Sequence, residues 1–333
     1  MADDEEQRAT GFYMNGRTPK FRGKTNEFIK EDANAVTLTM CDFGEHDVNA
    51  RAGGVGKMAE RGIWVDELEH IKSVLEKKGM VPELHVLSDP KNHGIESPTS
   101  MRPSQVHDVA AVLVVPNAVD ELVGVEGAAD AIKEWIWKQP IDTTVRSMKH
   151  KAADGTTDGV VDKEARWNNC VRNGPRRKAN TTDIALGYGS MASFDDMPVL
   201  NALRNACAEE MHAHLPVAET NYYYDVDDPK VGIGFHGDTE RKVVVMARFG
   251  KASKRLPISF QWYHDTKRIG DMMTINLNHG DLLVMSEKAV GTDWKRRKIC
   301  TLRHSAHNLK TGDRKFIKKS ESPAGHTRRV LRG

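Results

Sequence analysis

Between residues 220 and 319 short apolar runs alternate with turn residues, and this pattern most restricts what the chain can become. Eight runs follow one another at roughly 8–12-residue spacing: TNYYYDV, VGIGFHGD, KVVVMARFG, LPISFQWYH, MTINL, GDLLVMS, KICTLRHSA and RKFIKK. Runs this short suit strands, and strands joined by tight turns pair with antiparallel neighbours. Eight such strands bury their apolar sides by closing into a sandwich or barrel.

The segments before them are of mixed type. FDDMPVLNALRNACAEEMHAHLP reads as a helix, with Asp196 placed to cap it and Leu200, Leu203, Ala206 and Met211 facing inward. Further upstream, AVTLTM, ELHVLS and DVAAVLVVP read as strands. DELEHIKSVLEKKG is an amphipathic helix, with Asp66 as cap, Leu68, Ile71 and Leu75 on one face, and Gly79 at its end. VDELVGVEGAADAIKEWIWKQ is a second helical stretch, in which Trp135 and Trp137 read as packing residues. AGGVGKM resembles a phosphate loop, but Arg51 replaces its first glycine and no Ser or Thr follows Lys57, so a glycine-rich turn accounts for it. The polar stretch after residue 150 suggests a boundary there. The expected fold class is α+β: a disordered lead-in over 1–33, a smaller α/β domain over 34–150, a β-rich domain over 151–320 and a basic tail over 321–333. A protein partner docking on the 34–150 domain is one role open to it.

Bulk properties narrow the setting. The longest apolar run, VAAVLVVP, falls far short of the roughly 20 residues of a membrane span, so no membrane partner is expected. MADDEEQRAT lacks the basic-then-apolar order of a secretory leader. Cys41, Cys170, Cys207 and Cys300 are scattered without a CxxC pair, which favours a reducing compartment, cytoplasmic or nuclear. The net charge is +2, yet the 13 Lys and Arg and two acids from Lys295 to Gly333 sum to +11 and leave −9 for the rest. Lys295, Arg296 and Arg297 in that segment form either a solvated face or a surface for a phosphate-rich partner such as nucleic acid.

One tripeptide occurs twice, as His236-Gly237-Asp238 and His279-Gly280-Asp281. On a strand, a His and an Asp two apart project from the same face and can share a metal ion. A third ligand is then needed from downstream, and His304 and His307 are the candidates. From Asp281 to His304 the interval is 23 residues, too short for the strands that must intervene, which need some 40 or more. From Asp238 the interval is 66 residues, with four or five strand-like runs inside it. Spacing therefore favours His236 and Asp238 with His304, ranked ahead of His307, as a 2-His-1-carboxylate metal site that leaves coordination positions open. Arg314 follows His304 by ten residues, where a neighbouring strand could present it to the far carboxylate of a dicarboxylic cosubstrate.

With these residues in view, the stretch from about Arg166 to Lys319 resembles the AlkB-like family of 2-oxoglutarate/Fe(II)-dependent dioxygenases. FDDMPVLNALRNAC resembles the helix before that family's core, TNYYYDV its Asn-x-Tyr strand, and IGFHGDTE its metal strand. PISFQWY and LNHGDLLVMSE resemble a later strand and a turn that binds no metal. The family's usual pair of arginines after the distal His is not evident. The resemblance implies a double-stranded β-helix (jelly roll) with flanking helices, Fe(II) on His236, Asp238 and His304, and 2-oxoglutarate and O2 as cosubstrates. Asn221 and Tyr223 would contact 2-oxoglutarate beside Arg314. The implied reaction is oxidative removal of a methyl group from a base in DNA or RNA, as in DNA repair, by a monomer. Tyr222, Tyr224, Trp262 and Tyr263 are candidate stacking partners for a flipped base, with packing as their other use. The alternatives are a protein or small-molecule hydroxylase of the same superfamily and a non-catalytic nucleic-acid-binding module.

Overall fold

The run AVLVV becomes a strand buried at every position, as an unbroken apolar stretch should, while the strand Gly232–His236 is only partly buried beyond its first residue. The computed structural model describes residues 29, 31–44, 55–95, 108–146 and 160–311. Its strands up to residue 172 are β1 (Ala35–Cys41), β2 (Phe43–Gly44), β3 (Val55–Gly56), β4 (Glu83–Val86), β5 (Ala111–Val115), β6 (Thr144–Arg146), β7 (Val160–Asp162) and β8 (Trp167–Arg172). There follow β9 (Met191–Ser193), β10 (Val217–Tyr223), β11 (Gly232–His236), β12 (Val244–Phe249), β13 (Ile258–His264), β14 (Lys267–Ile275), β15 (Leu282–Met285) and β16 (Thr301–His307). The helices that bear on the argument are α1 (Val65–Lys77), α2 (Pro90–His93), α3 (Ala118–Val123), α4 (Ala128–Trp137), α5 (Thr181–Leu186), α6 (Pro198–Glu210) and α7 (Glu287–Val290).

The structure is α+β, with a large sheet in the order β4-β5-β15-β12-β1-β10-β8-β9. It is antiparallel except where β8 meets β9. A second, four-stranded antiparallel sheet runs β11-β16-β13-β14. Seven of the eight runs read as strands after residue 220 lie in β10 to β16. The last, RKFIKK, lies outside the described residues.

The expected boundary near residue 150 does not separate two cores. β1 is inserted between β10 and β12, with Leu38 opposite Thr220 on one side and Ala247 on the other. β5 pairs with β15, Val114 opposite Leu283. One apolar cluster includes Leu38, Leu75, Leu113, Leu203 and Leu302, from both sides of the boundary. The expectation of a separate 34–150 domain is corrected accordingly. Local apolar pattern tells a strand from a loop, but not which distant strand completes its sheet.

Helix ends also differ from expectation. α1 buries Leu68, Ile71 and Leu75 as expected, but its N-cap is Trp64, whose N–H donates to Glu67 at 2.9 Å, and Asp66 lies within the first turn. The stretch 119–139 is two helices, because Gly124 and Gly127 adopt φ of +71° and +79° between them. α6 starts at Pro198 with Met197 as its N-cap in place of Asp196, and it buries Cys207 where Ala206 was expected. The described part of AGGVGKM forms β3, paired with β2. Among the described residues, no helix is long and apolar enough to cross a membrane.

Candidate metal centre

His236 ends β11, and β16 sets His304 directly opposite as its register partner. The two imidazole rings lie with centroids 4.5 Å apart. Beyond His236 the chain turns at Gly237, and Asp238 N–H donates to Val290 O at 3.1 Å, at the end of α7. This turn brings Asp238 Oδ1 to 3.7 Å from His236 Nε2 and 4.0 Å from His304 Nε2. One donor atom from each residue lies within 4.8 Å of the others. Two ligands of one ion, with bonds of about 2.1 Å, stand at most about 4.2 Å apart. The carboxylate is thus at ligand separation from both imidazoles. Two imidazoles and one carboxylate suit a borderline divalent ion such as Fe(II), with several positions left open.

The surroundings tune these donors. His236 Nδ1–H donates to Gly234 O at 2.8 Å, which turns the Nε2 lone pair toward Asp238. Burial pushes the pKa of His304 down to about 4, with His236 adding to the shift and Asp238 opposing it. His304 is therefore neutral at pH 7 and has a lone pair to give. Burial alone would raise the Asp238 carboxyl, but Arg241, His304 and His236 together hold it below its usual value. Arg241 is 4% exposed and donates to Glu219 at 2.7 Å and to Glu240 at 2.9 Å, with Nε 3.8 Å from Asp238 Oδ2.

The cluster opens into a cavity of about 1020 Å³ between the two sheets. Thr37, Glu219, Asn221, Tyr223 and Met246 line it from the large sheet, and Ile233, Ile258 and Ala306 from the small one. Asn221 and Tyr223 thus both line the cavity, and Asn221 Oδ1 accepts from Arg166 Nε at 2.7 Å. Lys295 and Trp294 border the cavity, while Arg296 and Arg297 are exposed beside them. His307, an odd number of residues from His304, does not join the cluster.

The four candidate stacking residues take their other use, as packing residues. Tyr222 is fully buried and donates to Ile136 O at 3.0 Å. Tyr224 donates to Glu164 O at 2.6 Å and stacks on Trp167. Trp262 Nε1 donates to Leu87 O at 3.0 Å. Tyr263 is buried, with the Arg303 guanidinium 3.9 Å from its ring centroid. Each ring lies inside the fold, and the polar tips of Tyr222, Tyr224 and Trp262 are satisfied there. Arg314 lies outside the described residues.

Sequence reading missed the charged residues around the ligands. Glu219 was visible as the residue two before Asn221 on the same strand face, and Arg241 as the cation three after Asp238. Lys163 and Arg166 had no signal, because they reach the cavity from the chain leading into β8. Burial lowers the Lys163 pKa to about 8, and its amine is hydrogen-bonded to Asn168.

No family model matches the chain. It is 35% identical over 290 residues to "Uncharacterized protein R156" of Acanthamoeba polyphaga mimivirus, an alignment that takes in 87% of this chain and 99% of the relative. With that identity over nearly the whole of both proteins, the chain belongs to the same family as the mimivirus protein.

Proposed function

We propose that the chain is an Fe(II)- and 2-oxoglutarate-dependent dioxygenase acting on nucleic acid, built on a double-stranded β-helix. The observation that carries this reading is the His236–Asp238–His304 cluster at a cavity between two sheets. The strand paths support the fold. From β10 to β13 successive strands alternate between the large and small sheets, and after the β13–β14 hairpin β15 and β16 alternate again. In the small sheet, the seventh of these strands, β16, lies between the second and fourth, β11 and β13. By the same symmetry an eighth strand belongs between the first and third, β10 and β12. That place is filled by β1, from the other end of the chain. The reading is thus a jelly roll whose eighth strand comes from the N-terminal side.

Bound Fe(II), with 2-oxoglutarate and O2, supplies the oxidising power to hydroxylate a C–H bond, releasing succinate and CO2; on an N-methyl group the hydroxylated product breaks down to formaldehyde and the free base. His236, Asp238 and His304 would hold the metal, and Arg241 keeps Asp238 ionised as a ligand. Asn221 and Tyr223 sit where the cosubstrate would lie. Lys295, Arg296 and Arg297 at the rim favour a phosphate-bearing substrate over a free small molecule. The test is incubation with Fe(II), ascorbate and 2-oxoglutarate alongside methylated DNA, methylated RNA and histone peptides, reading succinate and product mass. Methyl loss from an oligonucleotide, abolished in His236→Ala, is expected. Turnover of peptides alone would move the substrate to protein, and absence of metal binding would remove the enzyme reading.

A further inference from the structure

Arg248 stands alone as a charge within the apolar run VVVMARFG and has no exposed surface. One terminal nitrogen donates to Leu256 O at 2.9 Å, while Nε and the other terminal nitrogen have no hydrogen-bond partner. An unpaired buried guanidinium is costly, so a fold keeps one where something else completes it. Burial accordingly lowers its pKa to about 10. Of the other cations that line the cavity, Arg241 is engaged by Glu219 and Glu240, Arg166 by Asn221 and Lys163 by Asn168, while Lys295 is exposed at the rim.

The placement of Arg248 is specific. Val244 and Met246 line the cavity, and Arg248 is the next residue on that face of β12. Register puts Thr37 opposite both Asn221 and Arg248, so the three side chains form one row across the sheet. Tyr223 stands beside this row, close enough that Thr37, Arg166 and Arg248 all bear on its hydroxyl. The parallel row two residues along, roughly 7 Å away, contains Glu219, which is tied through Arg241 to Asp238. That interval suits the two ends of a short dicarboxylate.

We propose that Arg248, with the Thr37 and Tyr223 hydroxyls, receives the distal carboxylate of the dicarboxylic cosubstrate. This rests on the 2-oxoglutarate reading above, and it moves to β12 the role first assigned to Arg314. β1 fills the position between β10 and β12. The clamp comes from the third strand of the roll.

The test is calorimetric binding to the full-length chain loaded with Mn(II), which avoids turnover. It compares 2-oxoglutarate with 2-oxobutyrate, which lacks the distal carboxylate. Wild type is expected to prefer 2-oxoglutarate by about 10- to 100-fold, the worth of one charge-assisted pair. Arg248→Met and Arg248→Gln are expected to bind both acids alike, and Arg248→Lys to keep part of the preference. Ligand-free Arg248→Met should melt at or above the wild-type Tm, because no paired charge is lost, and 2-oxoglutarate should no longer raise its Tm. Unchanged preference in Arg248→Gln overturns the assignment while leaving the cosubstrate reading in place. So does a lowered Tm in Arg248→Met together with full preference in that variant, which would mark a structural arginine. Wild type that binds Mn(II) but not 2-oxoglutarate overturns the cosubstrate reading itself, and the assignment with it.

Discussion

The tripeptide His-Gly-Asp occurs at 236–238 and at 279–281, and the fold uses the two copies in opposite ways. In the first, the Asp238 carboxylate faces two imidazoles at 3.7 and 4.0 Å and a guanidinium at 3.8 Å. In the second, Asp281 Oδ1 accepts from Asn117 N–H at 3.0 Å, and Oδ2 accepts from Asn278 N–H at 2.6 Å and Asn278 Nδ2 at 3.0 Å. A carboxylate saturated by N–H donors is a turn clamp with little left for an ion. One held between two imidazoles and a guanidinium at those distances has lone pairs to give. The glycines divide in the same way. At Gly237 an added Cβ would come within 2.1 Å of Gly291 O, so space excludes a side chain. At Gly280 the nearest atom would be 3.5 Å away, but φ is +85°, so backbone conformation is what asks for glycine.

The contrast is sharpest in metal binding. Asp238→Asn and His236→Ala are expected to weaken Mn(II) or Fe(II) binding by at least about 100-fold, more than losing a residue that only hydrogen-bonds to a ligand typically does. Asp281→Asn should leave that affinity within about twofold, since its contacts are structural. Chelator competition on the two variants side by side is the measurement. Equal losses would erase the distinction between the copies.

For folding stability the order reverses. Asp281→Ala leaves three N–H donors without their acceptor at a half-buried turn, and is expected to cost about 3 kcal/mol in urea unfolding of the metal-free protein. Asp238→Ala should cost less in the same assay, because Arg241 retains Glu219 and Glu240. The glycines come next. Gly237→Ala should cost about 2 kcal/mol and weaken metal binding, because the turn that carries Asp238 must shift. Gly280→Ala should cost roughly 1 kcal/mol, with metal affinity unchanged. If Gly280→Ala proved the more damaging to metal binding, the assignment of the two copies would be reversed.

The strand runs, the clustering of His236, Asp238 and His304 and the copy of the tripeptide that joins it were legible in the sequence, because each depends on local period or on chain length between residues. His236 and His304 are register partners after four intervening strands, which is what the interval of 66 residues required. The place of β1 was not legible. AVTLTM announces a strand, yet nothing in it says that its neighbours lie about 180 residues away, at Val217–Tyr223 and beyond. The tyrosines and Trp262 left both uses open, because aromatic residues on strands serve packing and recognition with the same letters, and burial alone separates the two. Arg248 carried a readable sign, a charge inside an apolar strand, whose meaning needed the sheet register.

The smallest expected difference between the copies is in pH response. His279 Nδ1 accepts from Gly250 N–H at 3.1 Å, which requires that nitrogen to be unprotonated. Burial lowers the His279 pKa from its ordinary 6.5, with Lys133 acting the same way and Asp130 and Asp120 opposing. A folded pKa below the unfolded one means the unfolded chain takes up the proton first. The stability tied to neutral His279 is therefore complete above about pH 6.5 and declines as the pH falls below it. The metal-free comparison is the unfolding free energy of wild type and His279→Gln at pH 7.5 and again at pH 5.5. The gap between them should narrow at the lower pH, since glutamine has no proton to gain. His304, with its pKa near 4, titrates in both proteins and cancels. A constant gap would show that the second histidine is not held neutral by its turn, and the electrostatic half of the contrast between the copies would have to be withdrawn.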